Sequence, residues 1–129
     1  LIQPLAKFKL TGTFFNGTNA AGVGGLRQGF NIIDDERFTA VRTMGGWTQL
    51  SYLATRRLTL NAHGGQESNS AANLLSGQIV RNLSYAGNLR YRLGPNVLLG
   101  LEAQQTRTTY LGNLFRLVNH YDLALAYLF

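Results

Sequence analysis

The chain has 129 residues, 45% of them hydrophobic, and carries 12 Lys and Arg against 6 Asp and Glu, for a net charge of +6. One domain fits that length, and the absence of cysteine excludes a disulfide framework and a cysteine-based metal site. No apolar run approaches the roughly 18 residues of a membrane-spanning helix, which leaves spanning strands of about 9–11 residues untouched because their alternation averages out.

The opening segment LIQPLAKFKL lacks the long apolar stretch and small-residue cleavage site of a signal peptide, so an export signal is expected to be already removed or to belong to a longer precursor. Residues 4–15 alternate: Ala6, Phe8, Leu10, Gly12 and Phe14 against Leu5, Lys7, Lys9, Thr11 and Thr13. Period-two alternation predicts a strand with an apolar face and a basic, polar face. Residues 16–36 are rich in Gly and Asn and predict a long loop, with room for a short hairpin around residues 23–33.

Residues 38–54 predict a second strand, in which Gly45-Gly46 suggests a bulge or bend. Beyond it Leu50 and Tyr52 share one face and Gln49 and Ser51 the other. Trp47 falls opposite Leu50 and Tyr52 unless the glycines flip the register, and it stays unassigned. Residues 55–57 make a tight connection to a return strand, residues 58–66, in which Leu58, Leu60 and Ala62 alternate with Thr59, Asn61 and His63. Residues 67–77 form a second polar loop.

The alternation is clear in residues 78–93, with Ile79, Leu83, Tyr85, Leu89, Tyr91 and Leu93 on one face and Asn82, Ser84, Asn88, Arg90 and Arg92 on the other. Gly94-Pro95-Asn96 is a strong turn signal. Residues 97–109 return with Val97, Leu99, Leu101 and Ala103 opposite Gly100, Glu102, Gln104, Thr106 and Thr108. A third loop near residues 112–116 leads to the last predicted strand, residues 117–129, LVNHYDLALAYLF. There Leu117, Asn119, Tyr121, Leu123, Leu125, Tyr127 and Phe129 share a face, while the other carries Val118, His120, Asp122, Ala124, Ala126 and Leu128.

Two regularities run through these segments. QLSYLATRRLTL aligns with NLRYRLGPNVLL, matching Tyr52 to Tyr91, and the L-x-Y ending recurs at Tyr127. Connections also alternate between tight turns and longer polar loops. An apolar band flanked by aromatics, with short turns at one end and long loops at the other, is what a strand with one face in lipid requires.

The terminal Phe129, with Tyr127, Leu125, Leu123 and Tyr121 at every second place before it, resembles the C-terminal signal of Gram-negative outer-membrane β-barrels, a porin-like family. The resemblance covers the last strand directly, and the alternation behind it covers most of the chain. It implies an all-β fold: an antiparallel, up-and-down transmembrane β-barrel, or the C-terminal strands of a larger one. It further implies residence in the bacterial outer membrane and contact with outer-membrane lipid. The last strand would be read by the barrel assembly machinery, and passive passage of small hydrophilic solutes would need no cofactor. Tyr52, Tyr91, Tyr121, Tyr127 and Phe129 become the expected membrane-interface aromatics.

The inward face is expected to line a pore with Lys7, Lys9, His63, Arg90, Arg92, Glu102, His120 and Asp122. Its basic residues favour anions in the functional reading; in the plainer one the charges pair with one another or fill a small barrel. Six predicted strands fall short of the eight of the smallest bacterial barrels. A hidden hairpin, strands elsewhere in a larger barrel, or other chains must then complete the sheet, and the chain's opening almost directly in a strand favours the second of these.

Other chemistry is disfavoured. His63 and His120 lie on different predicted strands without cysteine, so hydrogen-bonded histidines fit better than metal ligands. There is no G-x-S-x-G, Ser68 and Ser70 have no ordered base near them, and no enzyme is expected. AAGVGG, residues 20–25, does not make a phosphate-binding glycine loop. Basic and aromatic residues occupy opposite faces, which argues against nucleic acid. Two further readings remain: a small filled outer-membrane barrel acting as an anchor, adhesin or structural protein, and a soluble β-barrel that binds an apolar ligand.

Overall fold

A computed structural model describes residues 2–5, 7–20, 29–34, 37–112 and 114–129. These form an all-β structure of nine strands: β1 (Ile2–Leu5), β2 (Phe8–Thr18), β3 (Phe30–Asp34), β4 (Arg37–Ala40), β5 (Arg42–Leu53), β6 (Leu58–Asn69), β7 (Ile79–Arg92), β8 (Val97–Tyr110) and β9 (Phe115–Tyr127). Seven make one antiparallel sheet in the order β1-β2-β5-β6-β7-β8-β9, and β3 and β4 form a separate hairpin. β1 and β9 are the two edges, and no closed barrel forms among the described residues.

The sheet is an antiparallel meander because each tight connection stabilises its own reversal. At the β5–β6 turn the Thr55 amide donates to the Leu58 carbonyl (3.2 Å), while the Thr55 hydroxyl accepts from the Arg57 and Leu58 amides. At the β7–β8 turn, Gly94-Pro95-Asn96 closes under a Leu93 amide to Val97 carbonyl bond of 2.9 Å.

Several expectations are corrected. The strand expected over residues 4–15 is two strands, β1 folding back on β2 with Leu5 opposite Phe8. The strand expected over residues 38–54 is interrupted at Val41. A hairpin does interrupt the long loop, at β3–β4; residues 23–28 of the hairpin expected around residues 23–33 lie outside the described residues. Gly45-Gly46 makes no bulge, since register runs unbroken from Arg42 to Tyr52 against β2 and from Thr43 to Leu53 against β6. The glycines answer to their neighbours instead: a Cβ on Gly46 would sit 2.5 Å from the Thr13 carbonyl oxygen, and one on Gly45 would sit 2.8 Å from the Phe15 ring. Trp47 accordingly keeps its parity and lies between Thr13 and Gly65.

The sheet has almost no apolar core. Among the described residues the buried hydrophobics are Ala20, Val41, Leu74 and Ala86. Most of the burial gathers at the long-loop end, where the β3–β4 hairpin meets the β6–β7 loop, around Val41 (0% exposed), Thr43, Asn31 and Asn69. Asn31 and Gln78 exchange amide hydrogen bonds of 2.9 and 2.6 Å, Asn31 Nδ2 also donates to the Asn73 carbonyl, and the Thr43 hydroxyl donates to Asn69 Oδ1. The Asn31 bonds tie the hairpin to the β6–β7 loop, and the Thr43–Asn69 bond joins β5 to β6 beside it.

Candidate functional site: the two faces of the sheet

Directly paired residues of neighbouring strands project from the same face. One continuous row therefore crosses the sheet as Lys9, Ser51, Asn61, Asn88, Glu102 and Asp122. The next row is Thr11, Gln49, His63, Ala86, Gln104 and His120. The opposite face carries Phe8, Tyr52, Leu60, Leu89, Leu101 and Leu123 in one row, and Leu10, Leu50, Ala62, Gly87, Ala103 and Tyr121 in another. A third apolar row holds Leu58, Tyr91, Leu99 and Leu125.

On the polar face the side chains form a directed relay. Asn61 Nδ2 donates to Asn88 Oδ1 at 2.6 Å, and Asn88 Nδ2 donates to Glu102 Oε2 at 2.9 Å. An ionised carboxylate only accepts, so Glu102 sets the orientation of both amides. That leaves Asn61 Oδ1 buried without a partner, in a residue only 6% exposed. Glu102 and Asp122 are direct cross-strand neighbours, a like-charge pairing that costs stability unless each carboxylate is separately engaged. Both are: Glu102 takes the Asn88 amide, and Asp122 Oδ1 lies 3.0 Å from His120 Nε2.

All eight residues expected to line a pore lie on the polar face of the sheet. Lys7, Lys9 and Arg90 come together at the tight-turn end around a depression of about 250 Å³ that Gln49, Ser51 and Thr59 help to line. Arg92 lies one row further, opposite Leu98. His63 and His120 share a row but are separated by β7 and β8, three spacings of roughly 4.8 Å, too far for one metal ion. Among the described residues no group of His, Cys, Asp and Glu is placed to hold a metal. The relay through Asn61 and Asn88 was not singled out by the sequence, where the parity of both residues was visible but their mutual register was not.

The aromatic positions are staggered. Tyr52 shares its row with Leu123, Tyr91 lies one row nearer the turns, and Tyr127 one row further still, opposite Val97. From β5 to β9 the line through them descends four residues over four strand spacings. At roughly 3.3 Å per residue and 4.8 Å per strand, that line is inclined by roughly 35° to the perpendicular of the strands. Tyr121 lies on the far side of the Leu123 row from this line and is 76% exposed. Phe129 lies beyond the last strand, its ring 6.0 Å from that of Tyr127. β9 is exposed along its whole length.

No described helix is long and apolar enough to cross a membrane, which has no bearing on crossing by strands. Compared with known proteins, the chain matches no family model, no curated protein and no solved structure.

Proposed function

We propose that the sheet is part of a transmembrane β-barrel in a bacterial outer membrane and serves as a porin-like channel for passive diffusion of small hydrophilic solutes. The observation that carries this reading is the segregation of the faces: three adjacent rows of one face hold no charge and no polar side chain apart from tyrosine hydroxyls, while the other face carries polar side chains on β2, β5, β6, β7, β8 and β9. Leu123 and Leu125 are 72% and 71% exposed, and so little of the chain is buried that water alone is a poor solvent for this sheet. Lipid is the medium that rewards such a face. The inclination of the Tyr52–Tyr91–Tyr127 line supports the same reading, because strands tilted 35–45° in a membrane bring a line so inclined level with its surface.

Closure requires more than the described sheet. β1 and β9 run in the same direction, so an antiparallel closure takes an odd number of further strands, from a larger barrel or from other chains. An open edge in hydrocarbon would cost several kcal/mol for each unpaired backbone group. The basic cluster of Lys7, Lys9, Arg90 and Arg92 gives the proposed lumen an anion bias. The relay on Asn61, Asn88 and Glu102 favours a second reading, a filled barrel serving as an anchor or adhesin, since hydrogen-bonded polar side chains pack a narrow interior well.

Planar-bilayer recording separates these readings. The channel gives stepwise ohmic currents with anion preference. Insertion with a heat-modifiable gel band but no current identifies the filled barrel. A folded monomer that stays in solution without detergent removes the membrane reading and restores the soluble one.

A further inference from the structure

The charges on the apolar face lie at one end and have one sign. Among the described strand residues of that face, no carboxylate occurs, and the charged side chains are Arg42, Arg81 and Arg107. All three lie at the long-loop end. Moving from the Tyr121 row toward that end, the next row is uncharged and polar: Thr48, Tyr85, Gln105 and Asn119, in which the Tyr85 hydroxyl donates to Gln105 and Gln105 Nε2 donates to Asn119 Oδ1 at 2.8 Å. Arg107 follows, opposite Leu83 and Leu117, then Arg81, opposite Thr109, then Arg42, opposite Thr18.

Arg81 and Arg107 are diagonal neighbours on β7 and β8. They flank a depression of about 310 Å³ that Leu83 and Thr109 help to line. Val80, at the register shift between Ile79 and Arg81, also lines it. The Arg107 guanidinium stacks on the Phe115 ring, 4.5 Å from its centre, which positions it without neutralising it.

The geometry points to a phosphate-bearing lipid headgroup held by Arg81 and Arg107, with Arg42 two strands from Arg81 and one row nearer the long-loop end. Guanidinium pairs with phosphate through two parallel hydrogen bonds. A lipid fits better than a free anion because the arginines continue the uncharged band on the same face, beginning about 13 Å along the strand from the Tyr121 row. An occupant that covers Leu101 and Leu123 with hydrocarbon therefore reaches the arginines with its head. The inference rests on the membrane reading above and assigns the long-loop end to the leaflet that carries the phosphorylated lipid.

Reconstitution of the full chain in phosphatidylcholine vesicles, with and without phosphatidic acid, followed by measurement of the lipid retained on detergent extraction, tests it. The native chain should retain phosphatidic acid over phosphatidylcholine, and Arg81→Gln with Arg107→Gln should lower that preference at least about fivefold. Arg116→Gln, at the same level on the polar face, should leave it unchanged. Equal loss in the Arg116→Gln protein would make the attraction one of diffuse charge and overturn the proposal, as would full displacement of the lipid by an equal concentration of inorganic phosphate. Failure to associate with phosphatidylcholine vesicles at all would remove the membrane reading itself. Normal insertion without headgroup preference would remove only the arginine site.

Discussion

Asn88 and Leu89 are consecutive in the chain and face opposite worlds. Asn88 hydrogen-bonds Asn61 and Glu102 on the polar face, whereas Leu89 lies between Leu60 and Leu101 on the apolar one. The same alternation of faces runs along β7 from Arg90 back to Ala86, and it makes face, not depth, the variable that decides what a substitution does.

A charge placed on the apolar face should therefore be costly. Leu101→Arg is expected to destabilise the protein folded in lipid vesicles by about 2–4 kcal/mol, the cost of a cation near the middle of a bilayer. Ala124→Arg, on the polar face of the neighbouring strand, should cost less than about 1 kcal/mol. Denaturant titration of the vesicle-folded proteins measures both. Equal costs would mean that the two faces meet the same medium.

If the polar face lines a conducting lumen, its basic end sets the selectivity. Replacing Arg90 and Arg92 with Glu should weaken or reverse anion preference, read as a shift in reversal potential across a salt gradient. The single-channel current should persist, because neither residue takes part in the Asn61–Asn88–Glu102 relay. Unchanged selectivity would remove both from the pore lining.

The glycines of β5 make a steric prediction. Gly46→Ala drives a Cβ to 2.5 Å from the Thr13 carbonyl oxygen and should cost about 1–3 kcal/mol as β2 and β5 separate. Gly87→Ala, whose nearest neighbour would be the Asn61 carbonyl oxygen at 3.9 Å, should stay within about 0.5 kcal/mol of the native protein. Thermal or denaturant unfolding of the pair distinguishes backbone contact from any general demand for glycine.

The β3–β4 hairpin is fastened chiefly through Asn31. Truncation in Asn31→Ala removes the exchange with Gln78 and the bond to the Asn73 carbonyl, leaving a part-buried amide and carbonyl unsatisfied, at a local cost of about 1–3 kcal/mol. Opening of the hairpin should then rise roughly fivefold or more, measured as faster tryptic cleavage at Arg37 with the sheet intact.

How much of this was legible follows from range. Alternation is a local property, and it placed Leu89, Arg90, Tyr91 and Arg92 on their faces because β7 and β8 run almost without interruption. The reversal between Leu5 and Phe8 carries no Gly, Asn or Asp, so nothing local announced β1 as a separate strand. Gly45-Gly46 looked like a bend because local rules read glycine as freedom, whereas here it permits the close approach of β2 and β6. Parity put Asn61 and Asn88 on one face, but their contact depends on register across residues 70–78, which parity does not carry. Arg42, Arg81 and Arg107 passed unnoticed for a related reason: each ends or interrupts an apolar stretch on its own strand, and their gathering within three successive rows of one face appears only once the strands are aligned.

The central claim is that one face of the sheet touches hydrocarbon and the other touches water. The chain has no cysteine, so a single cysteine can be introduced at each position from Tyr121 to Leu125 in turn, labelled with an environment-sensitive fluorophore, and examined in lipid vesicles. Labels at Tyr121, Leu123 and Leu125 should be quenched by acyl-chain-brominated lipid, and those at Asp122 and Ala124 by an aqueous quencher, in strict alternation. Uniform aqueous quenching at all five positions, or protection of all five from both quenchers, would contradict the account.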